Sequence, residues 1–195
     1  MPDPRGSADS ATAPAPQRVV FFGDSRADWW RPLPQLPGVQ CRTCGLPGAS
    51  AGYLLQRFRA LVTPLRPEIV VVQMGVNDLV ELTLGHRDRA LVAMTGRAIA
   101  AVVGQARDLG ARVVFTTIFP LAHGPLPDVV VQRAIAEVNR TLLGLRAAGV
   151  QVLDSAAVLA GPDGYVHDAY ADDELHLSAA GYAALNVALE PMLED

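Results

Sequence analysis

Short, continuous apolar runs alternate along this chain with longer stretches in which apolar residues recur every three or four positions. The runs predict strands over Val19–Gly23, Gly38–Arg42, Ile69–Met74, Arg112–Ile118 and Val150–Leu153. Several are rich in β-branched residues and lack polar alternation, the pattern of a parallel strand covered on both faces. The longer stretches predict helices. Leu54, Phe58, Leu61 and Leu65 mark one apolar face; Leu91, Thr95, Ala98, Val102, Ala106 and Leu109 a second; Val131, Ile135, Val138, Leu142 and Leu145 a third. Ser50 stands where it can cap the first helix, and Ser178 where it can cap a final one carrying Tyr182, Leu185 and Leu189.

Strands that alternate with helices predict a doubly wound α/β sandwich, in which chemistry gathers outside the carboxyl ends of the strands. Residues 1–17, rich in Pro, Ala, Ser and Asp, have almost nothing to bury and read as a flexible tail, leaving one domain over 18–195. With 195 residues, half of them apolar and 18% charged, the chain has the composition of a compact enzyme. A net charge of -4 without a basic stripe argues against a nucleic-acid partner. Lys is absent and Arg supplies the positive charge, which reads as coding bias. No run reaches the 18 or so apolar residues of a membrane span, and residues 1–17 lack the apolar segment of a signal peptide, so the expected location is cytoplasmic. Cys41 and Cys44 stand in a strand-like stretch with no further ligands for zinc, and are expected to be ordinary free thiols; a redox CxxC pair is the alternative, though such pairs normally open a helix after a strand.

Three predicted strands end in polar turns: Gly23-Asp24-Ser25, Gly45-Leu46-Pro47-Gly48 and Gly75-Val76-Asn77-Asp78. A fourth segment, Asp173-Glu174-Leu175-His176, stands just before the last helix. A serine hydroxyl is a weak nucleophile until a base takes its proton, and an imidazole serves best when a carboxylate fixes its tautomer. In a turn, the three-residue spacing of Asp173 and His176 can bring the carboxylate to Nδ1 and leave Nε2 for Ser25. An ester carbonyl under attack also needs N–H donors for its developing oxyanion. The backbone N–H groups of Ser25 and Gly48 and the side-chain amide of Asn77 are candidates.

These four blocks, in this order, resemble the SGNH or GDSL hydrolase family, whose Ser, Gly, Asn and His places are filled by Ser25, Gly48, Asn77 and His176. The resemblance runs from about Arg18 to the C-terminus. It implies Asp173 as the third triad member and a flavodoxin-like three-layer α/β/α fold around a mostly parallel five-stranded sheet. It further implies hydrolysis of esters with short acyl groups, such as O-acetyl groups on carbohydrates or small metabolites, or of lysophospholipid-like lipids. No metal or cofactor is needed, and the expected partner is a small-molecule ester. Two residues depart from the common pattern: Arg26 replaces the Leu of Gly-Asp-Ser-Leu, and Thr43-Cys44-Gly45 stands where many relatives have Asn-Arg-Gly.

Arg26, Trp29 and Trp30, next to the nucleophile, are the expected substrate-binding residues, the indoles offering large apolar faces; packing at the rim of the core is the alternative for the two tryptophans, with one of them expected to touch substrate rather than both. The Pro-rich segment Phe119–Pro127 should overhang the same edge as a pocket wall. Asp78 is assigned to turn chemistry, and His86, His123 and His167 to the solvated surface, with His167-Asp168 the only rival base. Taken alone, Ser25 could be no more than a helix cap; its company with the other blocks argues otherwise. An acyltransferase or thioesterase using the same triad, and a non-catalytic binding module of the same fold, stay open from sequence.

Overall fold

The computed structural model describes residues 14–84, 89–124 and 128–194, with the backbone alone at 83, 84, 89 and 128. Strands β1 (Gln17–Gly23), β2 (Val39–Gly45), β3 (Ile69–Gln73), β4 (Arg112–Thr116) and β5 (Gln151–Leu153) form one sheet in the order β2-β1-β3-β4-β5. Every pairing is parallel. After β1 comes α1 (Ser25–Asp28), after β2 comes α2 (Ala51–Val62), and after β3 come α3 (Val76–Val80) and α4 (Arg89–Asp108). Helix α5 (Asp128–Leu143) follows β4, and α6 (Ser155–Leu159) and α7 (Ala179–Glu194) follow β5. The strand order is the flavodoxin-like one, whose switch point lies between β1 and β3.

Strand side chains alternate between two buried layers, as the two-residue period of a pleated strand requires. Phe22, Val70, Val72, Val113 and Phe115 pack with Leu54 and Phe58 of α2, Ile99 and Val102 of α4, and Val138 of α5. On the other face, Val19, Phe21, Ile69, Val71 and Val114 pack with Trp30, Leu159, Tyr182, Leu185 and Leu189. Removing such side chains from water contributes about 1.5–3 kcal/mol each, so both layers are needed against the entropy of ordering the chain.

The predicted strands and long helices are all present, with shifted ends. β2 runs on to Gly45 because it pairs with β1 as far as Gly23. β4 stops at Thr116, short of the predicted Ile118. There Asn139 of α5 takes over both backbone groups of Ile118, accepting from its N–H at 2.8 Å and donating to its carbonyl at 2.7 Å. Helices α1, α3 and α6 are too short to show a helical period and were not predicted; the first two carry site residues.

Candidate active site

The turn that carries Ser25 is built from a close approach of β1 to β3. A Cβ on Gly23 would stand 1.6 Å from the carbonyl oxygen of Gln73, so no larger residue fits there. The chain then turns into α1, and Asp24 is its cap: one carboxylate oxygen accepts from the N–H of Arg26 at 3.0 Å, and the other from the N–H of Gly75 at 3.1 Å. Because Asp24 performs the capping, the hydroxyl of Ser25 is left for another partner. Burial pushes the Asp24 carboxyl up to about 6, against the lowering influence of Arg26 and the two N–H groups.

The partner is His176, whose Nε2 lies 2.9 Å from Ser25 Oγ. The preceding turn is organised by Asp173. Its Oδ1 accepts from the N–H groups of Leu175 and His176, each at 2.7 Å, and its Oδ2 lies 2.8 Å from His176 Nδ1. A carboxylate only accepts, so Nδ1 carries the proton and the lone pair of Nε2 faces the serine hydroxyl. Burial works against the charge on Asp173, but the bonds from the imidazole and the two amides hold its carboxyl below the usual aspartate value. The turn is anchored on both sides: Asp172 N–H donates to the His176 carbonyl at 2.9 Å, and Ala122 N–H to the Glu174 carbonyl at 3.0 Å. Ser178 Oγ accepts from the N–H of Gly181 at 3.4 Å, at the start of α7.

The other two turns meet the first through hydrogen bonds. Leu46 N–H donates to the Gly23 carbonyl at 2.9 Å, which brings the Gly48 loop to the end of β1. Gly48 has φ +76°, a backbone conformation suited to glycine, and open space where a side chain would be. Asn77 Nδ2 donates to the Ala49 carbonyl at 3.0 Å, which takes one of the two N–H groups of the amide and fixes its plane. Asp78, assigned to a structural part, accepts from Ala51 N–H at 2.7 Å, at the first turn of α2.

Two of the three expected substrate-binding residues are corrected by burial. Trp30 is 0% exposed; it packs on Phe21, Phe119 and Tyr182, and its Nε1 donates to Asn186 at 2.8 Å. Arg26 is 0% exposed as well, with Nε donating to the Leu175 carbonyl at 2.6 Å and Nη1 to the Phe119 carbonyl at 2.9 Å. Neither has surface to offer a ligand. Trp29 does: it is 48% exposed, and its ring lies against that of His176.

The segment from Phe119 is less of a wall than expected. Phe119, Leu121 and Ala122 are buried, and Gly124 packs closely on Glu174, bracing the turn that carries His176; residues 125–127 lie outside the described residues, as does His86. His123 has a carboxylate that sequence spacing did not suggest, Asp163 at 2.8 Å, but both are exposed. His167 accepts from Ala169 N–H at 3.2 Å and caps a turn over Asp168–Tyr170, a structural use for the rival base. Cys41 and Cys44 are free and face opposite layers of the core, and burial pushes both thiols up, Cys41 to about 11. That is far from the thiolate a redox pair needs. Among the described residues, no group of three or more His, Cys, Asp or Glu side chains is placed to hold a metal ion, and no helix is long and apolar enough to cross a membrane.

Comparison with known proteins leads to the same chemistry. The chain is 30% identical over 184 residues to platelet-activating factor acetylhydrolase IB subunit alpha1 of Pongo abelii, covering 90% of this chain and 74% of that one. Its fold is similar to that of a GDSL-like lipase from Bacteroides thetaiotaomicron (TM-score 0.74, 24% identity, 91% and 88% of the two chains). It is also similar to an acetylxylan esterase from Geobacillus stearothermophilus (TM-score 0.70, 18% identity, 92% and 94%). A model of the GDSL-like lipase/acylhydrolase family matches residues 9–184, and the chain therefore belongs to that family and is an ester-hydrolysing enzyme.

Proposed function

We propose that this enzyme is a serine esterase that removes a short, acetyl-like acyl group from an O-ester of a carbohydrate or small metabolite. The observation that carries the reading is the unbroken hydrogen-bonded line from Ser25 Oγ through His176 to Asp173. His176 takes the proton of Ser25 as Oγ attacks the ester carbonyl, and Asp173 steadies the imidazolium. The oxyanion is received by the N–H groups of Ser25, Gly48 and Asn77. Collapse expels the alcohol, protonated by His176, and leaves an acyl-Ser25. A water deprotonated by His176 then releases the carboxylic acid and restores the serine.

The acetyl preference is supported by the name of the acetylhydrolase relative. A groove of about 640 Å³ opens beside Gly48 and Asn77, lined in part by Leu55, Leu91 and Met94. It is far larger than an acetyl group and suits the alcohol portion of the ester. Its apolar lining favours a second reading, in which the groove receives a longer acyl chain. Trp29, half exposed against the base, is a further substrate contact.

A series of nitrophenyl esters of increasing chain length separates the two readings: kcat/KM is expected to be highest for acetate and to fall with length, whereas a maximum at a longer chain would replace the first reading with the second. Transfer of the acyl group to an added alcohol in preference to water would make the enzyme an acyltransferase, and a preference for thioesters a thioesterase. A fluorophosphonate should label the wild type on Ser25 and leave Ser25→Ala unlabelled; a folded wild type that resists labelling would end the proposal.

A further inference from the structure

Arg26 is a fully buried cation. Burial lowers its ionisation only to about 10, so it is charged at neutral pH. Nη2 has no hydrogen-bond partner among the described residues. An apolar side chain of similar volume is often as stable as a buried charge or more so, so stability by itself is a weak reason for an arginine here.

The contacts of Arg26 supply another reason. Nε donates to the carbonyl of Leu175, the residue immediately before His176, and Nη1 to the carbonyl of Phe119 in the segment after β4. The guanidinium also lies 5.3 Å from the centre of the Phe119 ring. The backbone carbonyl of Arg26 itself accepts from the Tyr182 hydroxyl of α7 at 3.0 Å. One side chain thus joins the turn that carries the nucleophile to the turn that carries the base, and fastens both to the segment that braces the base turn from outside, where Ala122 N–H holds the Glu174 carbonyl. The planar fork of arginine can hold two carbonyls at once in fixed geometry; a lysine ammonium has one nitrogen on a flexible stem.

We propose that Arg26 is a positioning residue that sets the distance between Ser25 Oγ and His176 Nε2 by clamping the carbonyls of Leu175 and Phe119. The proposal rests on Ser25 and His176 as nucleophile and base. Its consequence is specific: loss of the clamp lets the base turn drift while the substrate groove, lined by residues of α2 and α4 beside Gly48 and Asn77, keeps its walls. Misplacement of reacting groups by an ångström costs roughly 10²-fold in rate. Because the loss falls on the chemical step, it belongs in kcat and not in KM.

The test compares Arg26→Met and Arg26→Lys with wild type and with Ser25→Ala, using nitrophenyl acetate, with the folded fraction of each protein measured by near-UV circular dichroism and rates expressed per folded molecule. Arg26→Met should lose roughly 10²-fold in kcat with KM nearly unchanged, and Arg26→Lys, which restores the charge and one of the two bonds, should recover part of that loss. A folded Arg26→Met with wild-type kcat, or a loss confined to KM, overturns the proposal. Should the Met variant fail to fold, Arg26→Lys decides alone: a wild-type kcat there means that the two-carbonyl clamp is not required. Full activity in Ser25→Ala would instead refute the reading of Ser25, and with it the basis of this proposal, so the two failures are distinguishable.

Discussion

Trp29 lies against the imidazole of His176, the ring centroids 4.5 Å apart and the planes inclined by 44°. The contact covers one face of the proposed base while nearly half of the indole stays open to solvent, so the same ring can shield the imidazole and meet a ligand. Its neighbour Trp30 points the other way, into the layer between the sheet and α7. Two adjacent tryptophans are therefore expected to fail in different ways.

Trp29→Ala should raise KM several-fold with little loss of stability, since substitutions of half-exposed side chains are usually mild, on the order of 1 kcal/mol or less. Steady-state kinetics beside urea unfolding tests this, and an unchanged KM would remove Trp29 from the substrate contacts.

Trp30→Ala should cost about 3–5 kcal/mol, the usual range for truncating a buried Trp, and leaves Asn186 Oδ1 without the indole N–H. Urea midpoints measure the loss. The fraction that stays folded should keep the wild-type KM; a changed KM in the folded fraction would mean that Trp30 communicates with the substrate after all.

Asn77→Ala should lower kcat by roughly 10² to 10³ if the amide N–H receives the oxyanion. The bond from Asn77 Nδ2 to the Ala49 carbonyl sets the orientation of that amide in advance, so the donor needs no rearrangement during the reaction. Turnover of nitrophenyl acetate within a few-fold of wild type would exclude the role.

Ser25→Ala, His176→Ala and the double variant should be almost equally inactive, because neither group works without the other. Rates close to the product of the two single losses would contradict a shared proton transfer between them.

Asp24 makes a prediction about pH and stability. Its carboxyl titrates near 6 when folded, above the ordinary aspartate value of 3.8. Below about pH 4 both states hold the proton. Between there and about pH 6 the unfolded chain releases it while the folded one retains it, so folding loses stability as pH rises through that window, by about 3 kcal/mol for a shift of this size. Asp24→Asn cannot titrate. The stability of wild type relative to Asp24→Asn should therefore decline from pH 4 to pH 7 in urea unfolding, and a difference independent of pH would mean that Asp24 is ionised at an ordinary value.

The alternation of strand and helix, and with it the layered α/β architecture, could be read directly because β1, β3 and β4 are buried on both faces and have no polar alternation to confuse them, whereas the edge strand β2 keeps Gln40 and Arg42 exposed. Ser25, Gly48, Asn77 and the Asp173/His176 pair could be singled out as candidates because each stands at the end of a strand or the start of a helix, where local pattern is strongest. The short spacing from Asp173 to His176 is a local relation, and local relations survive in one dimension. The fate of Arg26 and Trp30 could not be read that way. An arginine beside a nucleophile suggests an exposed charge that meets substrate, yet its hydrogen bonds go to carbonyls 149 and 93 positions away. Trp30 is buried by residues of the loop after β4 and of α7, and His123 finds Asp163 40 positions on. By itself the sequence determined the layers, the order of the elements and the residue types that meet at the carboxyl edge of the sheet, since these follow from periodicity and from turns. Only the tertiary structure decided which neighbour of Ser25 faces solvent and which faces the core, because a residue's burial depends on what distant segments pack over it.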